Sequence, residues 1–160
     1  MAEIADLEDR HGSGGVARRP VVMVRGEGAR LWDAGGKEYI DCSAAHGWAA
    51  LGHAHPEVTA AIRDQAGLLV HHTESSYTEQ RARWFAELAE LLASSLGRTE
   101  RGTMSRIHPC NSGAEAVEAA IKLARYVTKR TEIVAAQGGF HGRTLGALSA
   151  TASRKYRDPF

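Results

Sequence analysis

The sequence predicts an α/β fold: the opening of a parallel sheet covered by helices, preceded by a smaller β segment. Two patterns carry that reading. In the second half, short apolar runs at 104–110 and 132–136 alternate with helical periodicities at 113–128 and 144–156, the β-α-β-α rhythm of a parallel sheet. In the first half, short apolar stretches are separated by glycine-bearing turns, one of them of hairpin length. Composition sets the bounds. A chain of 160 residues, 43% hydrophobic and 24% charged, is sufficient for a sizeable core and lies outside disordered, collagenous and membrane classes.

Residues 1–19 are polar and glycine-rich without an apolar h-region, so they read as a flexible arm and not as a signal peptide. Pro20-Val21-Val22-Met23-Val24 is a short strand-like run, broken by Gly26 and Gly28. Arg30-Leu31-Trp32 and Glu38-Tyr39-Ile40-Asp41 flank Asp33-Ala34-Gly35-Gly36-Lys37, which reads as a hairpin turn. Residues 44–54, rich in Ala, Gly and His, read as a loop. His55-Pro56 starts a helix, because proline at the first helical position gives up an N–H that has no partner there anyway. Val58, Ala61, Ile62, Gln65 and Leu69 share one of its faces. After a loop at 71–77, Ser76-x-x-Glu79 has capping-box form, and Trp84, Phe85, Leu88, Leu91 and Leu92 follow at helical spacing up to a stop at Gly97. The helix at 113–128 carries the stripe Val117, Ala120, Ile121, Ala124 and Val127.

Several function classes have no support. A formal net charge of +1 offers no electrostatic argument for nucleic acid or anionic membranes. No apolar run approaches a membrane span. Cys42 and Cys110 fit no metal-ligand spacing and read as reduced thiols of a cytoplasmic protein. His46, His53, His55, His71 and His72 lack the Cys or carboxylate that would complete a recognised metal pattern, so no metal is expected. There is no P-loop, and Gly26-x-Gly28 precedes a strand without a third glycine, so a dinucleotide fingerprint is not supported.

Two segments carry chemistry. Asn111-Ser112-Gly113-Ala114-Glu115-Ala116 opens a helix with a hydroxyl and two small residues. Helix N-termini present unpaired N–H groups and a positive dipole end, which attract phosphate. Taken alone, Ser112-x-x-Glu115 reads more simply as a capping box. The turn gains weight from its place after a strand, at the end of a sheet where open α/β folds bind ligands. Gly139-Phe140-His141-Gly142-Arg143-Thr144 follows the next strand. Phe140 could stack on a flat heteroaromatic ring, and Arg143 could clamp a carboxylate through two hydrogen bonds. Taken singly, a core aromatic and a surface ion pair are equally good readings. Their joint occurrence downstream of a phosphate-type turn favours the functional one.

Gly26-Glu27-Gly28-Ala29-Arg30-Leu31-Trp32-Asp33, Gly36-Lys37-Glu38-Tyr39-Ile40-Asp41, Leu51-Gly52-His53-Ala54-His55-Pro56, 111–125 and 140–145 occur in order. Together they resemble the class III aminotransferases (ornithine, acetylornithine and 4-aminobutyrate type), enzymes of pyridoxal 5'-phosphate (PLP) fold type I. The resemblance runs from about Pro20 to Phe160. It implies an N-terminal segment of the small domain at 20–54 and the beginning of the PLP-binding large domain at 55–160. It also implies that Ser112, Gly113 and Ala114 hold the cofactor phosphate and that Phe140 stacks on the pyridine ring. His141 stands beside that ring among the cofactor-binding candidates, with no separate role. Arg143 matches an arginine that binds the substrate carboxylate, and Tyr77 lies near a substrate-contacting tyrosine of some relatives. His108-Pro109 departs from the family's apolar strand residues, since proline donates no ladder hydrogen bond.

The lysines are Lys37, Lys122, Lys129 and Lys155. None resembles the family lysine that holds PLP, and the acidic partner of the pyridine nitrogen is likewise unmatched. The chain therefore resembles roughly the first third of such an enzyme, ending inside the large domain. No catalytic residue is expected within it. The implied reaction moves an amino group from an amino acid or ω-amine to a 2-oxo acid, in a family whose full-length members form homodimers, with this chain alone inactive. The alternative is a non-catalytic fragment or partner that complements, or dimerises with, a longer aminotransferase chain. A strand in such a partial sheet would lack neighbours and leave an exposed edge.

Overall fold

A computed structural model describes residues 2–96 and 105–160. Its elements are α1 (Ala2–His11), β1 (Met23–Glu27), β2 (Arg30–Asp33), β3 (Glu38–Ile40), α2 (Pro56–Ala66), α3 (Glu79–Leu96), α4 (Gly113–Thr128), α5 (Leu145–Ala150) and α6 (Arg154–Arg157). They fall into two compact units, Met1–Ser76 and Tyr77–Phe160.

In the first unit the three strands form an antiparallel sheet in the order β1-β2-β3, with Leu31 opposite Tyr39 and Gly26 opposite Leu31. The turn between β2 and β3 is the one the sequence predicts, and a carboxylate builds it. Asp33 Oδ1 accepts from the N–H groups of Gly35 and Lys37, each at 2.9 Å, and Oδ2 accepts from Tyr39 Oη at 2.8 Å. Asp and Asn are favoured in such turns because the side chain imitates a backbone acceptor. Those bonds hold the Asp33 carboxyl below its ordinary pKa, the Tyr39 hydroxyl first among the causes, and push the Tyr39 phenol up. β1 runs through Gly26 instead of breaking there, because Gly26 leaves room for the His53 side chain, which a β-carbon would meet at 2.7 Å.

The 42–52 loop is held at both ends. Gly28 and His53 exchange backbone hydrogen bonds of 2.9 and 2.8 Å. Asp41 Oδ1 accepts from Ser43 N, Ser43 Oγ and Ala44 N, while Oδ2 lies 2.7 Å from His53 Nε2. Between these points Ala44, Ala45 and His46 have φ of 45°, 50° and 59°, the left-handed region that L-residues avoid. α2 follows with Pro56 in its first turn, as the sequence predicts.

Residues 1–19, read as a flexible arm, include α1. Its Asp6–Arg10 pair lies one turn apart at 2.7 Å, and Arg18 returns to Glu8 and Asp9, each at 3.0 Å. The helix is supported by such i,i+4 charge spacing, which a search for apolar periodicity passes over.

In the second unit three expectations are corrected. The helix after 71–77 begins at Glu79, so Ser76 does not stand at its N-cap position and Thr78 precedes the first helical residue. The stop at Gly97 and the start of the 104–110 strand lie outside the described residues. Residues 105–110 and 131–136 form no strand, so the parallel sheet is absent among the described residues. A parallel strand gains its hydrogen bonds only from a neighbour. Neither segment has one here, and Pro109 has no N–H to offer. The 144–156 helix is two short helices, α5 and α6. Thr151 adopts φ −77°, ψ 130°, and Ala152 N donates to Gly139 O at 2.8 Å, turning the chain back before α6 starts. α4, by contrast, has the predicted bounds. Among the described residues the buried hydrophobic and polar side chains are Ala147, Leu148 and Thr151, in and just after α5, the helix that packs on α4.

Candidate functional site

The N-terminus of α4 is built as a cap. Ser112 is extended, at φ −150° and ψ 160°, and its Oγ accepts from Glu115 N at 3.2 Å. Glu115 Oε2 in turn accepts from Asn111 N at 2.6 Å. The serine half of the capping reading of Ser112-x-x-Glu115 is thus realised, while the glutamate takes the N–H one residue before the cap. It does not exhaust the mouth. Ala116 N donates to Ser112 O at 3.1 Å, whereas among the described residues the N–H groups of Gly113 and Ala114 meet no acceptor. The first N–H groups of a helix have no partner inside it. Around Gly113 nothing lies within 4 Å of where a β-carbon would project. Ser112 accepts through its oxygen and retains its own O–H to donate. Two free N–H groups, a hydroxyl and open space suit a tetrahedral anion, so the donor set fits a phosphate group.

The 139–144 segment is brought to that mouth by Gly142. A β-carbon there would lie 2.7 Å from Ala114 Cβ and 3.0 Å from both Ala114 Cα and Ala147 Cβ, and φ is +132°. Glycine is therefore required on two counts, conformation and space. Phe140, two residues earlier, is 62% exposed, so its ring is free to stack. His141 is half-buried. Its backbone N–H donates to Thr151 Oγ1 at 3.0 Å and its imidazole lies against Gly139. It secures the loop more directly than it faces the mouth. The Arg143 guanidinium stands 5.7 Å from the centroid of the Tyr156 ring, a cation–π distance that keeps it exposed yet oriented. Tyr77 is fully exposed, and among the described residues no hydrogen bond or ring contact ties it to this loop or to the mouth.

Sequence patterning does not single out two residues that hold this arrangement. Glu118 Oε1 accepts from Thr144 Oγ1 at 2.6 Å, Gly146 N at 2.9 Å and Ala147 N at 3.1 Å. These bonds lower its pKa, the Thr144 hydroxyl contributing most. The buried Thr151 hydroxyl accepts from His141 N and lies 3.2 Å from Gly142 O and 3.1 Å from Ala147 O. The Glu118 bonds span 26 to 29 residues and the Thr151 contacts with His141 and Gly142 span 10 and 9, so helical or strand periodicity carries no trace of them.

The site is an open mouth. A cleft of about 460 Å³ lies farther along α4, lined by Glu118, Ile121, Arg125 and Leu145, and an apolar groove of about 640 Å³ runs past Ala116, Leu123 and Tyr126. Neither is lined by Ser112, Phe140 or Arg143. Among the described residues no three His, Cys, Asp or Glu side chains gather to hold a metal ion, and no helix is long and apolar enough to cross a membrane.

Residues 13–160 match the family model described as aminotransferase class-III. The chain is 44% identical over 155 residues to the acetylornithine aminotransferase of Methanopyrus kandleri, covering 97% of this chain and 38% of the relative. It is 50% identical over 143 residues to that of Methanosarcina acetivorans, covering 89% and 34%. Among solved structures, an (S)-enantioselective omega-transaminase from Thermomicrobium roseum superposes with a TM-score of 0.83 at 31% identity, over 99% of this chain and 37% of that one. A taurine:2-oxoglutarate aminotransferase from Bifidobacterium kashiwanohense, solved in complex with PLP and glutamate, gives 0.82 at 28% identity, over 95% and 33%. The chain thus spans little more than a third of the length of the relatives it matches.

Proposed function

Because the chain belongs to the class III aminotransferases, we propose that the α4 mouth holds the phosphate of PLP and that Phe140 stacks on its ring. The observation that carries this is the packing of Gly142 on Ala114, which brings the loop bearing an exposed ring to a helix start with free N–H groups. Gly113 and Ala114 would donate their backbone N–H groups to the phosphate, and Ser112 its hydroxyl. Phe140 would exclude water from one face of the ring. Arg143, held beside Tyr156, would orient a substrate carboxylate. Tyr77 is kept as a substrate contact on family likeness alone. When bound, PLP supplies the electron sink through which an amino group passes from an amino acid or ω-amine to a 2-oxo acid.

Catalysis further requires a lysine; Lys37 lies in the β2–β3 turn, Lys122 within α4, Lys129 at its C-terminal cap and Lys155 in α6. We assign the lysine to a portion of the family's length that these residues do not include, and the active enzyme to a homodimer. By itself the 160-residue chain binds without turning over. NMR titration of the isotopically labelled chain tests the binding. Inorganic phosphate should shift the amides of Gly113 and Ala114, and PLP should shift these and the Phe140 ring. Silence at all three positions rejects the reading. An absorbance change on adding an amino donor to the PLP-loaded chain rejects the claim of inactivity.

A second reading, a partner that complements a longer aminotransferase chain, is favoured by one feature. Leu123, Tyr126 and Val127 on α4, and Val134 in the unpaired 131–136 segment, are all exposed. Such surface is normally covered. Co-elution with a polypeptide supplying the remaining family length tests it.

A further inference from the structure

We infer that Glu118 is a positioning residue that sets where Phe140 and Arg143 stand relative to the α4 mouth, an inference that rests on the PLP reading above. Glu118 lies six residues beyond Ser112 on the same helix, about 9 Å along its axis. One carboxylate oxygen collects three donors, Thr144 Oγ1, Gly146 N and Ala147 N, from the residues that directly follow Arg143. The backbone is shaped for it. A β-carbon on Gly146 would collide with the Glu118 carboxylate, so only glycine admits this approach.

The loop is therefore gripped twice by one rigid element. Ala114, in the first turn of α4, meets Gly142, and Glu118, a turn later, takes 144–147. Thr151 adds a third point at His141 N. Phe140 and Arg143 project from a backbone whose offset from the mouth equals a fixed distance along a helix. A carboxylate suits this work because hydrogen bonds to an ionised acceptor are shorter and stronger than neutral ones. Lys122, one turn farther on, adds attraction that keeps it ionised. Among the described residues the Glu118 carboxylate bonds only Thr144, Gly146 and Ala147, and neither the mouth nor the stacking ring, so its effect on ligand is indirect.

The test uses the full 160-residue chain, with E118A, E118Q and T144V, in three measurements. The first is amide exchange of Gly146 and Ala147 without ligand. E118A should speed it about tenfold, the loss of one charge-assisted hydrogen bond, with the middle of α4 unchanged. The second is titration with inorganic phosphate, read at Gly113 and Ala114, where E118A should match the parent within about twofold because the mouth is intact. The third is titration with PLP, where E118A should lose about tenfold in affinity together with the Phe140 ring shift. E118Q keeps an acceptor oxygen without the charge and should restore both in part, and T144V should likewise fall between E118A and the parent. Unchanged exchange and PLP affinity in E118A overturn the inference. So does an E118A chain in which phosphate binding and α4 protection fall together, since that is a structural role only. A parent that answers neither phosphate nor PLP rejects the underlying reading and this inference with it, whereas a responsive parent with an unaffected E118A rejects the inference alone.

Discussion

Gly142 rests on Ala114 so closely that a β-carbon at position 142 would lie 2.7 Å from the Ala114 methyl carbon. Two segments 28 residues apart, the helix start and the loop carrying Phe140, thereby share one place in the fold (142 − 114). Shifting that contact separates the phosphate donors from the ring.

Gly142→Ala is therefore expected to displace the loop. The substitution forces a side chain into φ +132° and into Ala114, a strain of roughly 1–3 kcal/mol. Amide exchange at Ala147, which lies against Gly142, and at the neighbouring buried Leu148 should accelerate, and the Phe140 response to PLP should disappear. Unchanged exchange at those two amides would refute the packing argument.

Ser112 has two separable duties, and two variants divide them. Ser112→Ala removes the cap on Glu115 N and should cost about 1 kcal/mol of α4 stability, seen as lower helicity by circular dichroism. Ser112→Asp keeps a good cap but places a negative charge at the mouth, so helicity should persist while phosphate no longer shifts Gly113 and Ala114. Phosphate binding retained by the Asp variant would move the anion site elsewhere.

Thr151 is buried, and its hydroxyl serves three backbone groups. Thr151→Val preserves shape and leaves the His141 N–H without its acceptor, a cost of about 1–3 kcal/mol. Thr151→Ser should recover most of it. Thermal unfolding and exchange at the His141 amide provide the measurement; equal Val and Ser variants would mean that packing, not hydrogen bonding, holds this corner.

Asp41 makes the fold pH-sensitive at acid. Its carboxyl is lowered from 3.8 to about 2, chiefly by the hydrogen bond with His53 and then by the Ser43 N–H. A carboxyl whose pKa is lower folded than unfolded stabilises the fold wherever it is ionised. That contribution is complete above pH 3.8 and is lost as pH falls through about 2. Protease susceptibility of the 42–52 loop should rise across that interval. His53→Ala should move the Asp41 titration, followed by its side-chain carbon signal, upward toward 3.8. A titration that stays near 2 without the imidazole would assign the effect to the backbone N–H groups instead.

Local patterns were readable from the chain. Asp33 with Gly35-Gly36 specified the β2–β3 turn, Pro56 the start of α2, and Ser112-x-x-Glu115 with its apolar stripe the bounds of α4. Each depends on interactions within a few residues, so the order of side chains contains the cause. The ordered motifs from Gly26 to Leu145 were enough to place the chain among the class III aminotransferases. Strands were different. The apolar runs at 104–110 and 132–136 have strand composition, yet a strand exists only through its neighbour's hydrogen bonds, and among the described residues none pairs with 105–110 or 131–136. The turn-back at Thr151, the three donors on Glu118 and the seat of Gly142 on Ala114 likewise link residues 9 to 29 positions apart in hydrogen bonds or tens of positions apart in contact. Sequence determined the start of α2, the bounds of α4, the β2–β3 turn and the chemistry offered by each segment. Tertiary structure alone decided which of those groups meet, because meeting depends on long-range approach through space and on which backbone N–H groups find an acceptor there.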